Sequence, residues 1–130
     1  MGSIKEFQVT FDCREPARVG RFWCEVLGYV PVAAPPESQE SAFACVDPTG
    51  KGPRLYFQRV PEGKVVKNRL HLDVRVGSGL VGAERLAALE AESARLVALG
   101  ATRGQLLLAD GVNESCQNMH DVEGNEFCLD

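Results

Sequence analysis

Four short runs of the chain place side chains capable of chemistry at every second position: Gln8 and Thr10, Tyr56 and Gln58, His71 and Asp73, Glu126 and Cys128. The positions between them are mostly apolar. Phe7, Val9 and Phe11 flank the first pair, Leu55 and Phe57 the second, and Leu70, Leu72 and Val74 the third. That two-residue period puts the polar and apolar sets on opposite faces of strands. A sheet face that only meets water is dominated by Lys, Glu and Thr. Here the face carries amides, a phenol, an imidazole, a carboxylate and a thiol, most without fixed charge at pH 7. Such groups hydrogen-bond, ligate or move protons, and the mixture suits the lining of a semi-enclosed small-molecule pocket. His71 with Asp73 two residues along has the makings of a general base or ligand beside an orienting carboxylate. A strand histidine standing alone is more often a hydrogen-bonded structural group.

The elements that must position these residues recur in two halves. In the first, Ile4 to Phe11 alternates as a strand, and Asp12 to Gly28 reads as a helix. Asp12 or Cys13 lies near its cap, Pro16 suits its first turn, and Val19, Phe22, Trp23, Val26 and Leu27 form its apolar stripe. Gly28 stops it. A short strand over Tyr29–Ala34, a polar loop over Glu37–Glu40, and strands over Ser41–Val46 and Arg54–Val60 follow, the last two joined by the turn Asp47-Pro48-Thr49-Gly50. Residues 61–68 form a polar connector. The second half opens with a strand over Arg69–Val76, then a helix over Val81–Leu99 that ends at Gly100. Leu86, Leu89, Leu96 and Val97 line one side of that helix, with Glu84, Arg85, Glu92 and Arg95 covering the rest. Strands over Thr102–Ala109, Glu114–Met119 and Asn125–Leu129 complete it, with Asp121-Val122-Glu123-Gly124 as the last turn. Val26-Leu27-Gly28 parallels Ala98-Leu99-Gly100 at a spacing of 72 residues, and the two Asp…Gly turns repeat at 74. The expected organisation is one domain over 1–130, with module one at about 4–60 and module two at about 69–130.

Composition narrows the function classes. With 45 % hydrophobic and 25 % charged residues, the 130-residue chain is ordinary globular protein. A net charge of −4 with 14 scattered Lys and Arg argues against nucleic acid as a partner. No run approaches the ~20 apolar residues needed to cross a membrane, and the first residues lack the apolar core of a signal peptide. A cytoplasmic location is therefore expected. The five cysteines contain no Cys-x-x-Cys spacing. Cys13, Cys24, Cys45 and Cys116 read as buried, reduced thiols, Cys128 as a core thiol or pocket wall, Trp23 as core, and His120 as a surface residue beside a turn.

Several of these segments carry a family pattern: Arg21-Phe22-Trp23, Val26-Leu27-Gly28-Tyr29, Leu70-His71-Leu72-Asp73, Arg95 to Ala101, and Asp121-Val122-Glu123-Gly124-Asn125-Glu126-Phe127. In this order and spacing the chain resembles the vicinal oxygen chelate superfamily, which includes glyoxalase I, extradiol dioxygenases and bleomycin-resistance proteins, and more narrowly its small bacterial glyoxalase-like members. The resemblance implies an α+β fold of two βαβββ modules, forming a cupped mixed sheet with helices outside. It also implies a divalent-metal site with ligands from the first and last strands of each module, here Gln8, Gln58, His71 and Cys128. The family's glutamates at the last-strand positions are replaced by Gln58 and Cys128, so no carboxylate remains. Hard and borderline cations favour carboxylate and imidazole. The resemblance thus leads to a small-molecule-binding protein with a degenerate metal site and no resident cofactor, taking its ligand on Gln8, Thr10, Tyr56, Gln58, His71 and Cys128. The alternative it leaves open is a metal-dependent lyase, isomerase or dioxygenase using Zn, Ni, Mn or Fe, with His71 and Asp73 catalytic. Many relatives are homodimers, and Tyr56, Met119 and open strand edges would fit such an interface.

Overall fold

The computed structural model describes residues 2–130. Contacts divide the chain into two compact units, the first ending at Gly63 and the second spanning Lys64–Asp130, so the division falls inside the polar connector.

The first unit holds strand β1 (Gln8–Cys13), helix α1 (Pro16–Leu27), and strands β2 (Val30–Pro31), β3 (Ala42–Val46) and β4 (Arg54–Arg59). The sheet order is β1-β4-β3-β2. β1 runs parallel to β4, and the other pairs are antiparallel. Pro16 occupies the first turn of α1, where its missing N–H costs no hydrogen bond. Gly28 ends the helix at φ 71°, a conformation that favours glycine, and its N–H donates to Cys24 O at 2.8 Å. Val19, Phe22, Trp23 and Val26 from α1 are buried with Phe43, Cys45, Leu55 and Phe57 from the sheet. Phe11 packs between Trp23 and Phe57, with ring centroids 5.2 and 5.0 Å away. Gly20 lets α1 approach β3 closely: a Cβ there would lie 2.1 Å from the Phe43 ring.

The second unit repeats this plan with β5 (Asp73–Val74), α2 (Gly82–Ala98), β6 (Thr102–Leu107), β7 (Cys116–His120) and β8 (Glu126–Leu129). Its order, β5-β8-β7-β6, matches the first unit strand for strand, again with one parallel pair at β5–β8. Leu89 and Leu96 of α2 are buried, as are Met119, Phe127 and Leu129 of the sheet. Each such side chain contributes roughly 1.5–3 kcal/mol by leaving water. The fold is thus α+β, two mixed four-stranded sheets each with one helix. Among the described residues, no helix is long and apolar enough to cross a membrane.

Several expectations are corrected. β1 begins at Gln8 because its partner β4 begins at Arg54, and Phe7 is left 68 % exposed. Asp12 and Cys13 continue β1, paired with Gln58 and Arg59, and Glu15 takes the cap position of α1. Residues Pro36–Glu40 wind into a 3-10 turn rather than an open loop. The strand expected over Arg69–Val76 shrinks to two paired residues, and Leu70 is exposed. On α2 the buried positions are Arg85, Leu89, Ser93 and Leu96, whereas Val97 is exposed. Arg85 is buried because its guanidinium donates to Ser115 O at 3.0 and 2.9 Å and to Gly77 O at 2.9 Å, leaving only its stem to pack. Met119 is completely buried and offers nothing to a partner chain. None of the five cysteines is in a disulfide; Cys13, Cys24 and Cys45 are buried, but Cys116 is only half-buried. His120 is half-buried as well.

Candidate functional site

The parallel strand pair in each unit carries the polar face. In the first unit, β1 sets Gln8, Thr10 and Asp12 opposite Arg54, Tyr56 and Gln58 of β4. Arg54 Nη1 donates to Gln8 Oε1 at 2.7 Å, and Gln8 Nε2 donates to Thr10 Oγ1 at 3.1 Å. Gln58 Nε2 donates to Asp12 Oδ1 at 2.8 Å. The Arg54 guanidinium lies 5.6 Å from the centre of the Tyr56 ring. Across β4, β3 presents only Ala42 and Ala44 opposite Gln58 and Tyr56, so small side chains border them. Gln8 and Gln58 sit at opposite ends of the strand pair, in register with Arg54 and Asp12 respectively. Four residues of extended chain span roughly 13 Å. Held by Arg54 and Asp12, the two amides do not form a shared ligand pair.

In the second unit, Asp73 is in register with Cys128 on β8, and Cys128 with Asn118 on β7. His71 stands just before β5, its Nε2 3.3 Å from Asp73 Oδ1. One potential ligand atom each from His71, Asp73 and Cys128 lies within 4.8 Å of the others. The His71 and Asp73 side chains are 41 % and 46 % exposed, which leaves the group open to an incoming molecule. The Cys128 thiol donates to Asn118 Oδ1 at 3.1 Å. Burial, reinforced by the Asp73 carboxylate and the neighbouring Cys116, pushes its pKa up to about 11. At neutral pH this sulfur is a thiol.

Glu126, the one glutamate on this face of β8, is engaged elsewhere. It accepts from the backbone N–H of Asn68 at 3.0 Å and pairs with Lys64 at 2.9 Å. Although partial burial works to raise it, the Asn68 N–H and the Lys64 ammonium hold this carboxyl down to about 2. Lys64 itself also donates to Val66 O, so the connector is anchored on the sheet of the second unit.

The residues read from sequence therefore fall into groups within each unit. Gln8 and Thr10 touch, Tyr56 faces Thr10 across the strand pair, and His71, Asp73 and Cys128 converge. Three participants were not foreseen: Asp12, Arg54 and Asn118. Asp12 and Arg54 continue the alternation of Gln8-Thr10 and Tyr56-Gln58. Asn118 lies on the face of β7 shared with Cys116 and His120, opposite buried Gln117 and Met119.

The four positions implied for a metal fit one poorly, since two are neutral amides already bonded to neighbours and one is a protonated thiol. Among the described residues, imidazole, carboxylate and sulfur come together in the second unit, at His71, Asp73 and Cys128.

A family model described as a glyoxalase-like domain matches residues 8–129. No curated protein sequence matches the chain significantly. Among solved structures, a glyoxalase/bleomycin resistance protein/dioxygenase family enzyme from Burkholderia phytofirmans PsJN superposes with a TM-score of 0.69 at 14 % identity, covering 94 % of each chain. A mutant of the fosfomycin resistance protein FosX from Listeria monocytogenes, complexed with Mn(II) and 1S,2S-dihydroxypropylphosphonic acid, gives 0.71 at 12 % identity over 99 % of this chain and 90 % of that one. A glyoxalase-related enzyme from Fulvimarina pelagi gives 0.65 at 16 % identity, covering 96 % and 86 %. At such identities the likeness is one of fold.

Proposed function

The chain belongs to the glyoxalase-like domain family, within the vicinal oxygen chelate superfamily, and from that premise we propose that it binds a small molecule, a drug or a metabolite, with the superfamily's metal centre degenerate. The carrying observation is the chemistry at the last-strand positions. Gln58 donates to Asp12, and Cys128 is a thiol donating to Asn118. Neither supplies the negative charge that a four-strand cation site relies on. Taken unit by unit, groups suited to orienting an organic ligand remain: Thr10 with the Arg54–Tyr56 pair in the first, and the open His71–Asp73 pair in the second. A thermal-shift screen of small aromatic and peptide-like compounds, run with excess chelator, tests this. Reproducible stabilisation by a compound class is expected. A silent screen on a protein that keeps a tightly bound metal through chelation would overturn it.

One observation favours a second reading, that of a metal-dependent lyase, isomerase or dioxygenase. His71 Nε2 lies 3.3 Å from Asp73 Oδ1, the relation of a base to its orienting carboxylate. On this reading His71 and Asp73 are catalytic. Stoichiometric metal in the purified protein, lost in His71→Ala together with turnover of dicarbonyl or catechol substrates, would support it. Absence of both activity and metal would remove it.

A cytoplasmic, homodimeric protein fits either reading. Every residue of edge strand β6 is exposed, including Leu106 and Leu107, and an open edge of this kind invites pairing. Sedimentation equilibrium decides the stoichiometry.

A further inference from the structure

Resting on the small-molecule reading above, we propose that the first unit carries a subsite for the carboxylate of a small organic acid, with Arg54 as the group that reads its charge. On the face shared by β1 and β4, Arg54 is the one cation, beside Gln8, Thr10, Asp12, Tyr56 and Gln58. Arg18, Arg75, Arg95 and Arg103 each pair with a carboxylate. Among the described residues, no carboxylate pairs with Arg54. Its neighbours are neutral: Nη1 donates to Gln8 Oε1 at 2.7 Å, and the guanidinium lies 5.6 Å from the centre of the Tyr56 ring.

A guanidinium carries its N–H donors in a planar fork that matches the two oxygens of a carboxylate. Gln8 takes up one of the Arg54 donors and is itself fixed, since its Nε2 donates to Thr10 Oγ1 at 3.1 Å. With the Tyr56 ring beside it as well, the fork is held in place before a ligand arrives, which lowers the ordering cost of binding. Gln8 is thus a positioning residue for Arg54. Thr10 accepts from Gln8, so its own O–H remains to donate to a ligand oxygen. Opposite Tyr56 and Gln58, β3 presents only Ala44 and Ala42, and these small side chains leave room along β4 for the body of the acid. Charge sets the class. One guanidinium balances one negative charge, and the Asp12 carboxylate, in register with Gln58 at the other end of the strand pair, disfavours a second. A monocarboxylate whose body is shorter than the roughly 13 Å between those ends fits better than a dianionic phosphonate or phosphate.

The test titrates matched fragments into the full chain in chelator, followed by amide shifts in proton–nitrogen NMR spectra. The pairs are benzoate with benzamide and phenylacetate with phenylacetamide, and phenylphosphonate serves as the dianion. Each acid should bind at least about fivefold more tightly than its amide and than phenylphosphonate, and should shift the amides of Thr10, Arg54 and Tyr56. Arg54→Met should bring acid and amide within about twofold of each other. Gln8→Glu should do the same, because the new carboxylate occupies the guanidinium itself. Arg18→Met removes a cation from the exposed side of α1 in the same unit and should keep the preference. Melting curves confirm that each variant is folded. Equal binding of acid and amide by wild type, binding of neither, tighter binding of phenylphosphonate, or a preference that survives Arg54→Met would each overturn the subsite. A neutral or cationic hit in the broader compound screen would then retain the small-molecule reading without it.

Discussion

Asp73 and Cys128 face each other in register across the β5–β8 pair, and the carboxylate is one of the groups that keep the thiol protonated. Burial is the larger cause, with Asp73 next. With a pKa of about 11, raised above its ordinary value, Cys128 adds stability that is fully present below the unfolded pKa and fades as pH rises toward 11. At pH 8 its alkylation by iodoacetamide, taken as the difference between wild type and Cys128→Ser, should run at least about tenfold slower than that of an exposed cysteine. Asp73→Asn should speed it. Full reactivity of Cys128 at pH 8 would contradict this environment.

Arg85 is a core residue rather than a cover residue. Arg85→Met keeps much of the buried stem but takes both guanidinium donors from Ser115 O, while Gly77 O loses one donor and keeps the Leu80 N–H at 3.0 Å. A buried carbonyl without a partner costs roughly 1–3 kcal/mol. Urea denaturation of Arg85→Met should show a loss of about 1–3 kcal/mol. A loss under about 0.5 kcal/mol would mean that the guanidinium contributes only packing.

Glu126 ties the connector to the second unit, and its pKa of about 2 fixes the sign of its pH effect. The folded value lies below the unfolded one, so its contribution is present above about pH 4.3 and is lost as pH falls toward 2. Glu126→Gln should flatten the acid limb of the melting-temperature profile in that window. At pH 7 it should cost about 1 kcal/mol, since the pair is partly exposed. An unchanged acid limb would show that the Asn68 and Lys64 contacts do not persist in solution.

Much of the frame was legible because local chemistry settles it. Gly28 had to end α1, since only glycine takes its φ without strain, and Leu55 and Phe57 had to be buried because their alternation is clean. Other features depend on partners that a single strand cannot reveal. Phe7 and Leu70 keep the alternation of their runs, yet among the described residues neither is paired in a strand ladder, and both stay exposed. Asp12 was read into the helix, which hid its place as Gln58's acceptor. Arg85 looked like solvent cover because its two carbonyl partners lie 8 and 30 residues away in sequence. Asn118 went unread for the same reason: its role comes from the register of β7 against β8.

The central claim is that this protein binds a small molecule on the polar face that includes His71. The most direct measurement is isothermal titration, in chelator, of the best compound from the stability screen into wild type and His71→Ala, with Arg95→Lys, on the exposed side of α2, as a control. The account predicts micromolar or tighter binding by wild type, weakened at least about tenfold in His71→Ala, which is a loss of roughly 1.4 kcal/mol, and unchanged in the control. Equal affinity for wild type and His71→Ala would contradict it.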